Sequence, residues 1–183
     1  KGIVHGDIKP ANIVLEEAGH NDSESTVKLV DFGISRLTTE TSDDQFATGE
    51  IYGSPLYMSP EQFQGRKLSI ASDIYSFACT LYETISGRVP FLGANALATM
   101  NLHLTVQAPT LASCHLDEQL PQRLEGLLAR MLAKSAEDRP ASFAQVIDEL
   151  ASVRLSLTNR DTLRGNTNRT KKPDSVTLDS NVI

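Results

Sequence analysis

Two short apolar segments, residues 13–15 and 27–30, are flanked by Asp and Asn side chains that could take part in catalysis or bind a metal ion. Their composition predicts two strands, and the polar stretch between them predicts that the chain turns back on itself. Asp7 and Asn12 precede the first segment, and Asp31 follows the second. Because an antiparallel pair places the start of one strand beside the end of the other, we expect Asp31 to lie beside Asn12.

Apolar residues recur at helical spacing later in the chain. The spacing predicts helices over 70–85, 94–104, 121–133 and 142–153. The stretch 33–60 is rich in Thr, Ser, Asp and Gly and is predicted to be mostly loop. Two strands followed by several helices indicate an α+β fold, mainly α-helical with a short β-hairpin, rather than repeating β-α-β units.

Composition excludes several classes of protein. The 183 residues contain 17 basic and 23 acidic side chains, and this net charge of −6 argues against a general nucleic-acid binder, which needs a basic surface. The two cysteines, Cys79 and Cys114, lack C-x-x-C spacing, which argues against a disulfide scaffold or a structural zinc site on them. Charged residues interrupt the apolar runs before the roughly 18 residues that a membrane-spanning helix needs.

Charge divides the chain into two parts. Residues 1–153 carry a net charge of −9, whereas residues 154–183 carry +3 and are rich in Ser, Thr and Asn. The second part also lacks aromatic residues. This composition is typical of a flexible polar linker or tail. We therefore expect one folded domain over 1–153 and a flexible basic tail over 154–183.

The loop before the first strand, residues 5–12, reads HGDIKPAN, and residues 31–33 read DFG. This pattern resembles the catalytic loop H-R-D-x-K-x-x-N and the D-F-G motif of the protein kinase superfamily. The resemblance implies a phosphotransferase that uses ATP and Mg²⁺.

The resemblance assigns roles to individual residues. Asp7 would accept the proton of the attacking hydroxyl, and Lys9 would neutralise charge on the moving phosphoryl group. Asn12 and Asp31 would hold Mg²⁺ on the nucleotide phosphates, because their hard oxygen atoms suit this ion. Val14 would lie under the adenine.

A segment at 53–61, GSPLYMSPE, resembles the end of a protein kinase activation segment, which docks a peptide. The resemblance places substrate contacts on four of its residues, Ser54, Pro55, Leu56 and Tyr57. The Ser54 hydroxyl would bond Asp7 and Lys9, and this favours Ser or Thr targets.

Further residues match structural positions of the family. The sequence at 72–77 resembles the start of the central helix, where Asp73 would bond backbone donors around His5. The late motif containing Arg139 implies an ion pair with Glu61, since an Arg fork can bind a carboxylate twice. His5 and Phe32 would pack as core residues rather than react. The pattern at 128–140, L-x-x-M-x-x-K-x-x-x-x-R-P, is close to bacterial-type Ser/Thr protein kinases.

Two other functions remain open on sequence alone. Small-molecule kinases that phosphorylate aminoglycosides or choline also have an H-G-D loop, but Lys9 and the segment 53–61 favour a protein kinase. A pseudokinase would be a binding scaffold without catalysis. The four intact residues Asp7, Lys9, Asn12 and Asp31 argue against the scaffold.

The sequence departs from the family at Gly6, where an Arg usually receives a phosphorylated activation loop. Without that Arg, a loop phosphate cannot order the segment through the usual charge-assisted pair. Thr48, six residues before Ser54, is nevertheless the candidate phosphosite, because its spacing fits autophosphorylation in bacterial relatives.

The sequence contains no G-x-G-x-x-G motif and no strand lysine before the catalytic loop. We therefore expect the large C-terminal lobe of a bacterial-type Ser/Thr protein kinase, truncated before the small lobe and inactive in isolation. The expected partners are ATP, protein substrates and a regulatory or sensor domain beyond residue 183, with no nucleic acid. The expected location of this domain is the cytoplasm, and the full-length protein could also carry a membrane tether.

Overall fold

The computed structural model describes residues 3–16, 25–32, 55–114 and 122–167, of which 158–167 are described by backbone only. Within these ranges the fold is mainly helical, with one two-stranded antiparallel sheet. This composition agrees with the predicted α+β class. The strands and α-helices are β1 (Ile13–Glu16), β2 (Thr26–Leu29), α1 (Pro60–Phe63), α2 (Ile70–Ser86), α3 (Ala96–Thr105), α4 (Gln122–Met131) and α5 (Phe143–Thr167).

The two strands form a hairpin at the surface. Ile13 pairs with Leu29 and Leu15 with Val27. The backbone N–H of Val30 donates to the carbonyl of Asn12 at 2.9 Å, so the pairing continues to the polar end of the hairpin. Both strands are largely exposed, and Leu15 is 64% exposed. The sheet therefore positions the loops at its ends rather than forming a core.

Helix α2 is the centre of the fold, and local signals set both its ends. The Ser69 hydroxyl accepts a hydrogen bond from the backbone of Ala71, which satisfies one of the free N–H groups of the first turn. Gly87 ends the helix in the left-handed region at φ +73°, where a side chain would be strained. The predicted helix over 70–85 is confirmed to within one residue.

The hydrophobic core forms where α2, α4 and α5 meet. Tyr75 and Cys79 from α2, Leu127 from α4 and Val146 from α5 are fully buried there. Burial raises the pKa of the Cys79 thiol far above its usual range. The thiol therefore behaves as a small apolar group of the core.

Two elements differ from the sequence-based expectations. Helix α1 begins at Pro60, at the end of a stretch predicted to be loop. Helix α5 continues to Thr167 instead of ending near 153, so the first part of the expected flexible tail, residues 154–167, is helical. Leu157 packs against the core, and this contact accounts for helix beyond the predicted boundary as far as residue 157. None of the helices in the described ranges is long and apolar enough to cross a membrane.

Candidate active site

The loop that carries Asp7 is held by a carboxylate from α2. The backbone N–H groups of His5 and Gly6 donate to the two oxygens of Asp73 at 2.7 and 2.8 Å. Asp73 is buried, and a buried carboxylate needs such donors. The sequence-predicted contact of Asp73 with the backbone around His5 is present.

Gly6 occupies a position that suits glycine. Its φ is +77°, which strains any residue with a side chain. A Cβ atom there would lie 3.1 Å from Cδ1 of Leu68. The positive φ and the close approach of Leu68 both favour glycine at this position.

The His5 ring links the loop to the second strand. Its Nε2 lies 3.0 Å from the carbonyl oxygen of Val30, and its Nδ1 lies 3.2 Å from the backbone nitrogen of Asp7. Since a carbonyl only accepts and an N–H only donates, the proton of the neutral ring is assigned to Nε2. The ring also contacts Phe32 at 4.7 Å between centroids.

Phe32 corrects one expectation. The resemblance implies that both His5 and Phe32 pack as core residues. His5 is buried, but Phe32 is 48% exposed. Phe32 follows an exposed strand, and the ring that it contacts among the described residues is that of His5.

Three polar side chains of the loop meet at Asp7. Lys9 Nζ donates to Asp7 Oδ2 at 2.7 Å, and Asn12 Nδ2 donates to the same oxygen at 3.2 Å. Asn12 Nδ2 also donates to the Asp7 carbonyl at 2.8 Å. The Lys9 and Asp7 side chains are 23% and 34% exposed. The carboxylate is thus fixed in place yet still accessible to another molecule.

Asp31 and Val14 lie at the hairpin. Asp31 has φ +54°, an unusual value for a residue other than glycine, and its side chain is exposed. It directly follows Val30, whose backbone pairs with Asn12. Val14, which the resemblance places under an adenine, is on an exposed strand opposite Lys28.

The donor set fits the Mg²⁺ that the resemblance implies. The amide nitrogen of Asn12 is committed to Asp7, so its amide oxygen is the atom left to bind a cation. Asp31 offers an exposed carboxylate next to the same end of the hairpin. Mg²⁺ typically takes one or two protein oxygens and completes its coordination with phosphate oxygens and water.

The expected docking segment is described from Pro55 onward, so Ser54 and Thr48 lie outside the described residues. Pro55 and Leu56 are half-buried. The Tyr57 hydroxyl donates to Glu83 Oε2 on α2 at 2.6 Å. Burial is the main reason that the pKa of Tyr57 lies well above its usual range, and the hydrogen bond to Glu83 raises it further. The tyrosine therefore anchors the segment to the central helix.

The Glu61–Arg139 ion pair is present and bidentate. Nη1 and Nη2 of Arg139 donate to the two Glu61 oxygens at 2.7 and 2.9 Å. The remaining N–H groups donate to the carbonyls of Ala71, Ala133 and Lys134, so all five donors are used. Burial is the largest single effect and would raise the pKa of Glu61. The hydrogen bonds and charge of Arg139, together with hydrogen bonds from the backbone and Ser72, outweigh burial and lower this pKa.

Two residues near the docking segment had no interpretable sequence signal. His103 on α3 is fully buried, and its Nδ1 bonds the Tyr75 hydroxyl at 2.9 Å. Burial and the nearby Lys134 charge lower the pKa of His103 to about 3, so the ring is neutral. Gln62 in α1 bonds the catalytic loop. Both contacts depend on the path of the chain, which residue spacing does not reveal.

Comparison with known families identifies this arrangement. A family model described as "Protein kinase domain" matches residues 1–150. The chain therefore belongs to the protein kinase domain family.

Bacterial serine/threonine-protein kinases are among its relatives. Pkn3 of Myxococcus xanthus is 36% identical over 154 residues, which are 83% of this chain and 28% of that protein. PknB of Lactococcus lactis is 34% identical over 151 residues, which are 82% and 22% of the two chains. PknB of Mycobacterium tuberculosis is 32% identical over 152 residues, which are 83% of this chain and 23% of that protein. The chain thus spans less than a third of each of these relatives.

Proposed function

We propose that this chain is the catalytic half of a serine/threonine protein kinase, which moves the γ-phosphoryl group of ATP to a Ser or Thr hydroxyl of a protein. The observation that carries the proposal is the position of the Asp7 carboxylate. Lys9 and Asn12 bond this carboxylate, and Asp73 bonds the backbone of the loop that carries it. Phosphoryl transfer depends on positioned charge, and this arrangement supplies it. The names of the relatives and the family match support the same activity.

Each residue of the site has a part in the proposed reaction. Lys9 and Asn12 both bond Oδ2 of Asp7, so we assign the orientation and deprotonation of the acceptor hydroxyl to its other oxygen. The ammonium of Lys9 is close enough to Asp7 to neutralise charge that develops beside it. Mg²⁺, when bound, would neutralise phosphate charge, and Asn12 and Asp31 would hold it.

We propose that the chain is the C-terminal lobe and transfers no phosphate alone. The 183 residues contain no G-x-G-x-x-G loop and no lysine on a strand before the catalytic loop. Other members of the family use these groups to hold the nucleotide phosphates. We propose that the activity needs a polypeptide that also carries these groups, in keeping with the greater length of the relatives. A cytoplasmic location and a regulatory or sensor region after residue 183 are separate parts of the proposal.

Regulation by a phosphate on Thr48 is part of the proposal. Gly6 offers no cationic side chain to receive that phosphate, so we expect it to change activity less than it does where an Arg is present. Mass spectrometry of active protein, combined with the Thr48→Ala variant, would measure both its presence and its effect.

One alternative differs in the acceptor of the phosphoryl group, and the other differs in that no transfer occurs. Lys9, which is bonded to Asp7, and the docking segment anchored through Tyr57 favour a protein acceptor over an aminoglycoside or choline. A pseudokinase scaffold would bind partners or ATP without transfer.

The test is transfer of radiolabelled phosphate from ATP by the longer polypeptide, followed by phosphoamino-acid analysis. Asp7→Asn should lower the rate by about a hundredfold or more, because the carboxylate that accepts the proton is lost. Asp148→Asn, the same change on the exposed face of α5, should leave the rate unchanged. Label only on an aminoglycoside or choline would support the small-molecule enzyme, and ATP binding without transfer would support the scaffold.

A further inference from the structure

Gln62 connects two parts of the candidate site that are far apart in sequence. Its Oε1 accepts hydrogen bonds from the backbone N–H and the hydroxyl of Ser59 at 2.8 and 3.1 Å. Its Nε2 donates to the carbonyl of Gly6 at 2.9 Å. Ser59 follows the docking segment, and Gly6 immediately precedes Asp7. One side chain thus joins the two regions.

The orientation of this amide follows from its partners. The Ser59 N–H can only donate, so it requires the oxygen of the Gln62 amide. The Gly6 carbonyl can only accept, so it requires the nitrogen. Reversing the amide would break both contacts.

The two peptide groups that flank Gly6 need such support. Gly6 has no side chain to pack, and its φ of +77° lies in a region that glycine enters and leaves easily. Asp73 holds its N–H and Gln62 holds its carbonyl. Asp73 on α2 thus holds the peptide group between His5 and Gly6, and Gln62 on α1 holds the one between Gly6 and Asp7. Together they fix both peptide groups that flank Gly6.

We propose that Gln62 is a positioning residue for catalysis: its amide couples the docking segment to Asp7 through the Gly6 carbonyl. This inference rests on the proposed kinase function. Seating of a substrate against residues 55–58 would thereby favour the productive position of Asp7. No phosphate on the activation loop is needed for this coupling.

A purely structural role is the competing explanation, because Gln62 also caps the first turn of α1 through Ser59. The variant Gln62→Glu separates the two roles. A carboxylate still accepts from the Ser59 N–H and hydroxyl, so the cap is kept. The same carboxylate cannot donate to Gly6, so the link to the catalytic loop is lost.

Kinetics of the longer polypeptide give the first readout. At pH 8 we expect Gln62→Glu to lower kcat by about threefold to tenfold, the effect of losing one neutral hydrogen bond, with little change in the thermal midpoint. The ratio of variant to wild-type kcat should rise as the pH falls, because the introduced carboxyl regains a donor when it is protonated. Gln64→Glu, the same change at an exposed position two residues later, should give a flat ratio near one.

Amide hydrogen exchange of the 183-residue chain gives a second readout that needs no activity. In Gln62→Glu at pH 8, peptides covering residues 5–9 should exchange about threefold to tenfold faster than in the wild type and in Gln64→Glu. If the wild-type polypeptide transfers no phosphate, the proposed function fails, while the exchange result still decides whether Gln62 orders the loop.

Two results would overturn the proposal. One is a Gln62→Glu variant with wild-type kcat at pH 8 and unchanged exchange in residues 5–9. The other is a loss of kcat that does not vary with pH and follows the thermal midpoint across Gln62→Glu and Gln62→Ala, since that pattern belongs to a cap alone.

Discussion

Arg139 joins three separate stretches of the chain through one guanidinium. Its pairing with Glu61 could be predicted, because both residues belong to motifs with recognisable neighbours. Its bonds to the carbonyls of Ala71, Ala133 and Lys134 could not, because every residue has a carbonyl and only the path of the backbone selects these three. Asp73 could likewise be predicted, because it belongs to a recognisable motif. Gln62 could not, because its partner is a backbone carbonyl.

Removal of the guanidinium should be costly. Arg139→Ala is expected to lower the free energy of unfolding by about 3–5 kcal/mol, because it leaves a buried Glu61 carboxylate without its partner. Arg130→Ala breaks an ion pair with Glu149 that is exposed, and it should cost about 1 kcal/mol or less. Urea unfolding followed by circular dichroism measures both. Equal losses in the two variants would contradict the buried role of Arg139.

The same pair predicts a dependence of stability on pH. The pKa of Glu61 is lower in the folded chain than its ordinary value of 4.5. The ionised carboxylate therefore contributes stability above about pH 4.5, and this contribution is lost as the pH falls through the folded pKa. Unfolding free energies of wild type and Glu61→Gln should differ most at neutral pH and converge toward pH 3. A difference that stays constant down to pH 3 would rule out this linkage.

A suitable comparison for the pH series is Glu149→Gln. Glu149 also pairs with an arginine, but the pair is exposed. The difference between this variant and the wild type should stay small over the whole pH range, because exposed ion pairs contribute little.

Secondary-structure elements were predictable where local signals define them. Helix α2 has a serine cap, a helical apolar period and a terminal glycine, and all three lie within the segment itself. The hydroxyls of Thr80 and Thr84 bond the carbonyls four residues earlier, within the helix itself. Helix α1 has only four residues and no period, so nothing local distinguished it from a loop. The ends of both strands were predicted to within one residue. The exposure of the strands could not be predicted, because it depends on which other parts of the chain pack against them.

Two glycine substitutions test the helix ends against the helix interior. Gly87→Ala should lower the unfolding free energy by about 1 kcal/mol, through strain at positive φ alone, because no atom lies within 4 Å of the added Cβ. Gly126→Ala, within α4, should raise it by about 0.5–1 kcal/mol, because alanine loses less entropy in a helix. Thermal unfolding measures both shifts. The same sign for both would refute the assignment of Gly87 to a left-handed cap.

For the molecule as a whole, the family and the mainly helical class followed from the sequence, but the end of the helical region did not. Composition changes near residue 153, and that change suggested a tail. The apolar period continues past it, since Val146, Leu150, Val153 and Leu157 recur at intervals of three and four. Composition averages over both faces of the helix, so it missed the turn at Leu157, which packs against the core.

The extension of α5 can be tested with two neighbouring leucines. Leu157→Ala should lower the unfolding free energy by about 1–2 kcal/mol, because the side chain is partly buried against the core. Leu155→Ala removes a side chain that is 63% exposed and should change stability by about 0.5 kcal/mol or less. Chemical denaturation of the 183-residue chain distinguishes them. If Leu157→Ala proved as mild as Leu155→Ala, the folded region would end before Leu157.

The buried thiol of Cys79 can report how often the hydrophobic core opens. A thiolate forms there only when the core opens, so an alkylating reagent can label Cys79 no faster than α2, α4 and α5 separate. Cys114 behaves in the opposite way: hydrogen bonding to Tyr82 and the nearby Arg88 outweigh burial and lower its pKa. In one mass-spectrometric time course, the fast label on Cys114 would report reagent reactivity, and the slow label on Cys79 would report the lifetime of the closed core.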